Sequence, residues 1–240
     1  MPGPAPAAAR RARNDRRQYD DLAAEWWEPR GEFAALHWLA RARGALVPPA
    51  PPGGGTLLDM GCGGGLLAPH LPPGYRHVGA DLSESALAVA AERGVEPVHT
   101  DVAALPFAED SFDVVVAGEV LEHVEDLDAV IAEACRVLRP GGTFVCDTIA
   151  DTRFARLSLV TIGERLPGGP PLHCHDPRLF VDPRRLRELC ARGGVDLRLR
   201  GLRPSIPQYA AFLLGRRDDV AMVPTRPLNA VIQGIGQKGD

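Results

Sequence analysis

The sequence predicts an α/β protein built on a doubly wound, mainly parallel sheet of seven strands, with an N-terminal helical segment in front and a lid insertion towards its end. Three observations lead there. Thr56-Leu57-Leu58-Asp59-Met60 is an apolar run that breaks into Gly61-Cys62-Gly63-Gly64-Gly65 and resumes as Leu66-Leu67-Ala68, which reads as strand, tight turn and helix. Ser111-Phe112-Asp113-Val114-Val115-Val116-Ala117 is nearly continuously apolar, as expected of a strand buried on both faces of a parallel sheet. Around these, short apolar runs alternate with segments of helical periodicity, an order that implies right-handed crossovers.

Length and charge bound the function. The chain of 240 residues suits one domain with an insertion. Its 27 basic and 31 acidic residues, a formal net charge of −4, provide no global field for nucleic acid. No apolar run reaches membrane-spanning length. The five cysteines, Cys62, Cys135, Cys146, Cys174 and Cys190, are odd in number and lack close metal-type pairs, so a reduced, cytoplasmic setting is expected.

Residues 1–17 are Pro/Ala-rich and then basic, with no apolar core of a secretory signal, and are expected to be a disordered tail. The three early prolines argue against the amphipathic helix of a transit peptide. One domain is expected over 18–240. Gln18 to Arg43 has a helical pattern broken at Pro29-Arg30-Gly31, and it holds all three tryptophans, Trp26, Trp27 and Trp38, either as core over the sheet or as a pocket wall. Pro48 to Gly55 is a linker. His77-Val78-Gly79-Ala80 is the second strand and ends at Asp81; Ser83 then caps a helix through Leu87 that stops at Gly94. Val98-His99-Thr100 is a third strand. Leu127, Val130, Ile131, Ala134, Val137 and Leu138 recur at helical spacing until Pro140-Gly141-Gly142, before a strand from Thr143 to Ile149. The insertion at about 151–182 carries Phe154, Leu157, Val160 and Ile162 as a lid helix. The last two strands, near Val195 to Leu202 and Asn229 to Gly236, are expected as an antiparallel hairpin at one edge.

Ligands of such sheets bind outside the carboxyl ends of the strands. The glycine turn invites close backbone approach, and the following helix would offer free N–H groups to an anion. A dinucleotide fingerprint would need Gly or Ala where Leu66 stands, which disfavours a pyrophosphate and a NAD-dependent oxidoreductase, though a non-catalytic nucleotide-binding protein stays open. Asp81 falls about twenty residues after Gly61, where a carboxylate can grip ribose hydroxyls. Asp101 and the N–H of Val102 could address an adenine edge, or Asp101 could serve only the turn. This combination suits S-adenosylmethionine.

Taken in order, Leu57 to Gly65, Asp81, Leu105-Pro106-Phe107 with Ser111-Phe112-Asp113-Val114, Glu119-Val120-Leu121-Glu122-His123 and Leu138-Arg139-Pro140-Gly141-Gly142 resemble the class I S-adenosylmethionine-dependent methyltransferases. Trp26-Trp27 with Gly31-Glu32-Phe33, and His173-Cys174-His175-Asp176 before Phe180, are similar more narrowly to the ubiquinone-pathway O-methyltransferases, over roughly residues 19–200. The resemblance implies methyl transfer to a hydroxyl of a catechol, hydroxyquinone or related aromatic small molecule, with N- or C-methylation of a small metabolite as the alternative. It places Arg43, Gly61, Asp81 and the backbone near Gly118 around the methyl donor, and Asp59, Gly63, Leu82, Asp101 and Val102 are expected beside them. It also implies that a divalent metal, where used, would take Glu119, Glu122 and His123. Gly118 departs from the bulkier residue, often Met, that the family has there. A lipophilic acceptor would imply peripheral membrane contact.

A phenol with a pKa of roughly 10 needs help at neutral pH. His123 is the first candidate base and His175 the second. Alternatively Glu119, Glu122 and His123 hold Mg²⁺ or a transition ion that stabilises the phenolate, or they merely begin a helix and meet its dipole.

Overall fold

Leu57, Leu58 and Met60 have no exposed surface, because the strand they occupy, β1 (Gly55–Met60), is paired on both sides and covered on both faces. The computed structural model describes residues 12–240. From β1 the chain winds outward through β2 (Tyr75–Asp81) and β3 (Glu96–His99), then returns to the other side of β1 for β4 (Phe112–Gly118) and β5 (Leu138–Ile149), all parallel. β6 (Val195–Pro204), β7 (Met222–Thr225) and β8 (Val231–Lys238) complete the order β3-β2-β1-β4-β5-β8-β6-β7. The winding reverses between β1 and β4, and a crevice opens at their carboxyl ends.

Period-two alternation separates the faces. Leu58, Met60, Val115, Ala117, Phe144 and Cys146 join one core with the apolar stripes of α4 (Leu127–Val137) and α6 (Pro183–Arg192). Leu57, Val114, Val116 and Val145 pack on the other face against Val47 and Leu67. Caps set the helix starts: Ser83 Oγ accepts the Ala86 N–H at α3 (Glu84–Ala91), as its position before the apolar run predicts, and the Asp126 carboxylate accepts the Ala129 N–H at α4.

Four expectations need correction. The sheet has eight strands, not seven. β7 is four residues long and contains Pro224, which is tolerated at an edge but reads as loop in the sequence. The last two expected strands are antiparallel partners, yet they are no edge hairpin: β8 lies between β5 and β6, and α7 (Ile206–Leu213) and β7 intervene in the chain. The helix expected after the glycine turn is only a 3₁₀ turn, Ala68–His70, because Pro69 and the Pro72-Pro73 pair leave too few residues to nucleate an α-helix. The expected disorder of residues 1–11 lies outside the described residues, but 12–17, assigned to the same tail, are packed: Arg13 donates to Glu164 Oε1 at 3.0 Å and to the His175 carbonyl at 2.8 Å.

The N-terminal segment forms α1 (Arg17–Asp21), a 3₁₀ turn Ala23–Glu25 and α2 (Ala34–Gly44), with the break at Pro29 to Gly31. The insertion forms α5 (Arg153–Ala155), a π-helical stretch Arg156–Ile162 and a 3₁₀ turn Gly163–Arg165, followed by irregular chain. No helix among the described residues is long and apolar enough to cross a membrane.

α2 is fixed to the sheet by Arg43, whose Nε and Nη2 donate to the two carboxylate oxygens of Asp147 in β5 at 2.9 and 2.8 Å, both side chains being buried. Burial works against the guanidinium charge, and Asp147 outweighs it, holding Arg43 above its ordinary value. Arg43→Ala should lower stability by about 3–5 kcal/mol by leaving Asp147 buried without its partner. Urea unfolding checks this, and Arg43→Met with Asp147→Leu should recover most of the loss.

Candidate active site

The crevice widens into a cavity of about 1230 Å³ lined by the glycine turn, the ends of β2 and β4, α2 and the insertion. Trp26 covers the turn. Gly63 is left-handed, φ 49°, and a Cβ there would enter the Trp26 indole, while the Trp27 indole N–H donates to the Gly64 carbonyl at 3.0 Å. The tryptophans thus serve both readings, since Trp26 and Trp38 are buried core that also walls the cavity.

Asp81 ends β2 and turns back on the glycines. Its Oδ2 accepts the Gly63 N–H and its Oδ1 the Ser83 N–H, each at 2.9 Å. Burial raises its pKa, against the pull of these bonds. A carboxylate has about four lone-pair sites, so these backbone bonds do not use up its capacity to accept from a hydroxyl. Asp59 is buried at the end of β1 with His77 Nε2 at 3.4 Å, and Gly61 and Leu82 stand beside it on the wall. Val102 is buried in the core beneath the cavity. Asp101 is exposed, and its Oδ1 accepts the Ala103 N–H, the turn role that was the alternative for it.

Gly118 faces Arg43. A Cβ at this position would fall within the guanidinium, so the space that a bulkier side chain would fill holds the Arg43–Asp147 pair instead. Arg43 lines the cavity with two of its donors already committed.

The segment after β4 carries the chemistry. Glu119 is left-handed, φ 53°, and its N–H donates to the Asp147 carbonyl at 3.1 Å. That turn points Glu122 inward, where it is wholly buried and its Oε2 accepts from Thr148 Oγ1 at 2.8 Å. Burial pushes Glu122 up to about 7 and Glu119 well above the carboxylate range, and the two share a side-chain hydrogen bond. Burial thus biases both carboxyls of the pair towards the protonated form. Oε1 of each lacks a partner.

His123 follows on the 3₁₀ turn Leu121–His123. Its Nδ1 lies 2.7 Å from Asn14 Oδ1, its Nε2 lies 3.3 Å from the Tyr19 hydroxyl, and its ring stacks on His175 with centroids 5.2 Å apart. Burial lowers His123 to about 4 and His175 well below its ordinary value, so both rings are neutral. Burial also raises Tyr19 far above a free phenol, so its hydroxyl keeps its proton beside Nε2. His175 is buried with Cys174 Sγ 3.2 Å from its Nδ1, so it is no solvent-exposed loop residue.

Residues 58–146 match the family described as a methyltransferase domain. The chain is 35% identical over 199 residues to the ubiquinone biosynthesis O-methyltransferase of Dinoroseobacter shibae, covering 75% of this chain and 80% of the relative. The chain belongs to this family. It is a class I S-adenosylmethionine-dependent methyltransferase. The enzyme of the same name from Nitrosococcus oceani is 34% identical over 213 residues, covering 85% of this chain and 90% of that one. Two solved structures share the fold: a Thermotoga maritima methyltransferase described as a possible histamine N-methyltransferase, with a TM-score of 0.65 at 18% identity over 92% of this chain and 96% of that one, and the Haemonchus contortus phosphoethanolamine N-methyltransferase 2 with bound S-adenosyl-L-methionine, with 0.61 at 18% over 94% and 59%.

The expected metal trio of this methyltransferase does not gather. Glu119 lines the cavity beside Glu122, but among the described residues it is not one of the donors that gather within 4.8 Å of both Glu122 and His123. Among the described residues, donor atoms within 4.8 Å of one another come from Glu122, His123 and His175, and separately from Glu164, Cys174 and His175. The first set could hold a transition ion better than Mg²⁺. Both ring nitrogens of His123 are, however, already engaged by Asn14 and Tyr19. Asn14, Tyr19 and Arg13 were missed in the sequence. An aromatic seven residues before Trp26 is the one signal there that pointed to them.

Glu122 gains a proton on folding wherever the pH lies between its ordinary 4.5 and about 7. The stability this adds is complete at acid pH and lost as pH rises through about 7. Glu122→Gln keeps the acceptor for Thr148 without the titration. Thermal melts of the two proteins should therefore show the variant gaining on the natural protein between pH 5 and pH 8; parallel curves would contradict the assignment.

Proposed function

We propose that this methyltransferase moves a methyl group from S-adenosylmethionine to a hydroxyl of a quinone-related aromatic compound, with His123 as general base. One observation carries this: a neutral imidazole, anchored through Nδ1, holds its Nε2 against a phenolic hydroxyl, that of Tyr19, inside the cavity. A substrate phenol at that place would meet the same lone pair.

The residues present fit the donor. Pockets for one small ligand span about 300–1,000 Å³, so a cavity of about 1230 Å³ has room for a nucleoside donor and an aromatic acceptor together. Asp81, with acceptor capacity left beyond its backbone bonds, suits ribose hydroxyls, and the glycine turn under Trp26 suits close backbone approach. Arg43, Asp59, Leu82 and Gly118 complete that wall. Bound S-adenosylmethionine supplies an activated methyl group on a positively charged sulfur.

His123 then has one task. An attacking oxygen becomes more acidic as its new bond forms, so a weakly basic, already neutral imidazole can take the proton during the displacement and need not remove it beforehand. Tyr19, Trp26 and the insertion line the cavity, and with both ligands in place they would help to exclude water. The insertion also exposes Phe154, Leu157, Ile162, Leu166 and Leu172, which suits a lipophilic acceptor arriving from a membrane surface. The N-methyltransferases above share only the fold, and among the described residues no observation favours an amine over a phenol at Nε2.

Labelled methyl donor with a panel of catechols, hydroxyquinones and amines tests the acceptor class: label on the oxygen of catechols or hydroxyquinones is expected, and transfer to amines alone would overturn the reading. For the donor, Asp81→Ala should weaken S-adenosylhomocysteine binding by roughly 1.5–3 kcal/mol in a calorimetric titration. Binding as tight as in the natural protein would remove Asp81 from the site.

A further inference from the structure

We infer that Asn14 is a positioning residue that sets the tautomer and orientation of His123, an inference that rests on the reading of His123 as the proton acceptor. The Asn14 carboxamide meets His123 twice. Its Nδ2 donates to the His123 carbonyl at 3.0 Å, and its Oδ1 lies 2.7 Å from Nδ1. The first bond fixes which end of the amide faces the ring. Oδ1 can only accept, so the imidazole proton sits on Nδ1 and the lone pair on Nε2. The other tautomer would turn an N–H towards the cavity and leave His123 unable to accept there.

Asn14 is itself held. It adopts the left-handed conformation, φ 57°, which asparagine enters more readily than most residues, and its backbone N–H donates to the His173 carbonyl at 3.1 Å. Its neighbours fix the same strap. Arg13 pairs with the buried Glu164, and Gln18 Nε2 donates to the Leu172 carbonyl at 3.1 Å. Glu164 in turn accepts the His173 N–H through Oε2 at 3.1 Å. The strap thus runs between the insertion and the turn after β4, and Asn14 is the residue in it that reaches Nδ1 of the imidazole, Tyr19 lying at Nε2.

The test uses the full chain with S-adenosylhomocysteine bound and reads the ring nitrogens by long-range ¹H–¹⁵N NMR, the His123 signals being assigned by their loss in His123→Ala. The natural protein should show the proton on Nδ1. Asn14→Ala should shift His123 towards the Nε2–H form, whereas Asn14→Asp, which keeps the acceptor, should retain Nδ1–H. Arg13→Ala, which breaks the ion pair to Glu164 without touching the ring, should leave the tautomer as it is. With labelled donor and a monoprenylated catechol as acceptor, Asn14→Ala should lower kcat by ~10-fold or more with the donor KM unchanged, and Asn14→Asp should recover part of that loss. An unchanged tautomer in Asn14→Ala overturns the inference. Full activity of His123→Ala would instead overturn the general-base reading alone, and the tautomer shift in Asn14→Ala would still establish the positioning.

Discussion

The buried ion pair of Arg43 and Asp147 is the constraint on which the site depends. A guanidinium and a carboxylate are both costly to remove from water, and each is tolerable here because it completes the other through two hydrogen bonds. Asp147 has a second duty, since its backbone carbonyl accepts the N–H of Glu119 and so holds the left-handed turn that sends Glu122 inward. One residue of β5 thereby fixes both the helix that carries the aromatic wall and the turn that carries the acids and His123. The bare backbone of Gly118 is the condition for this, because the guanidinium lies where a side chain would.

Around that pair, burial rather than charge sets the protonation of the site. Both imidazoles are neutral, the phenol keeps its proton, and the two glutamates are biased towards their protonated forms. Five titratable groups in close quarters thus present little net charge, and their hydrogen bonds, not their ionisation, define what each can do. His123 acts as an acceptor because Asn14 uses its only N–H, and Glu122 keeps to the interior because Thr148 and Glu119 occupy it.

Most of the sheet was legible because its signals are local. Nearly continuous apolar runs mark β1 and β4, which are buried on both faces, and Ser83 marks a helix start by standing directly before an apolar-periodic run. β7 escaped because Pro224 reads as loop, and the place of β8 escaped because two antiparallel partners on either side leave no trace in spacing. The glycine turn was legible as a turn, but the prolines behind it prevented the helix. In the site, Asp81 ends β2 and Glu122 and His123 follow the end of β4, while His175 comes from the irregular chain after the helical part of the insertion. Glu119 does not join the histidines, since spacing alone carries no information about a positive φ. Asn14 was hidden for a different reason: composition at the chain start reads as disorder, and its partner His123 lies 109 residues further on. Pairing over such a distance leaves no periodic signature.

Tyr19 adds a kinetic dimension to the strap. Its ring is stacked among Trp26 and Phe33, and its hydroxyl sits at the lone pair that the proposed reaction needs. The protein therefore carries an intramolecular rival for its own acceptor, one that a tethered chain presents at an effective concentration of about millimolar or above. Under the proposed reaction an aromatic hydroxyl would have to displace that phenol, and an acceptor with a large apolar body would bring more contact area to the exchange than a small one. Selectivity for lipophilic acceptors would then arise at the moment of exchange, from a residue that makes no bond to the product.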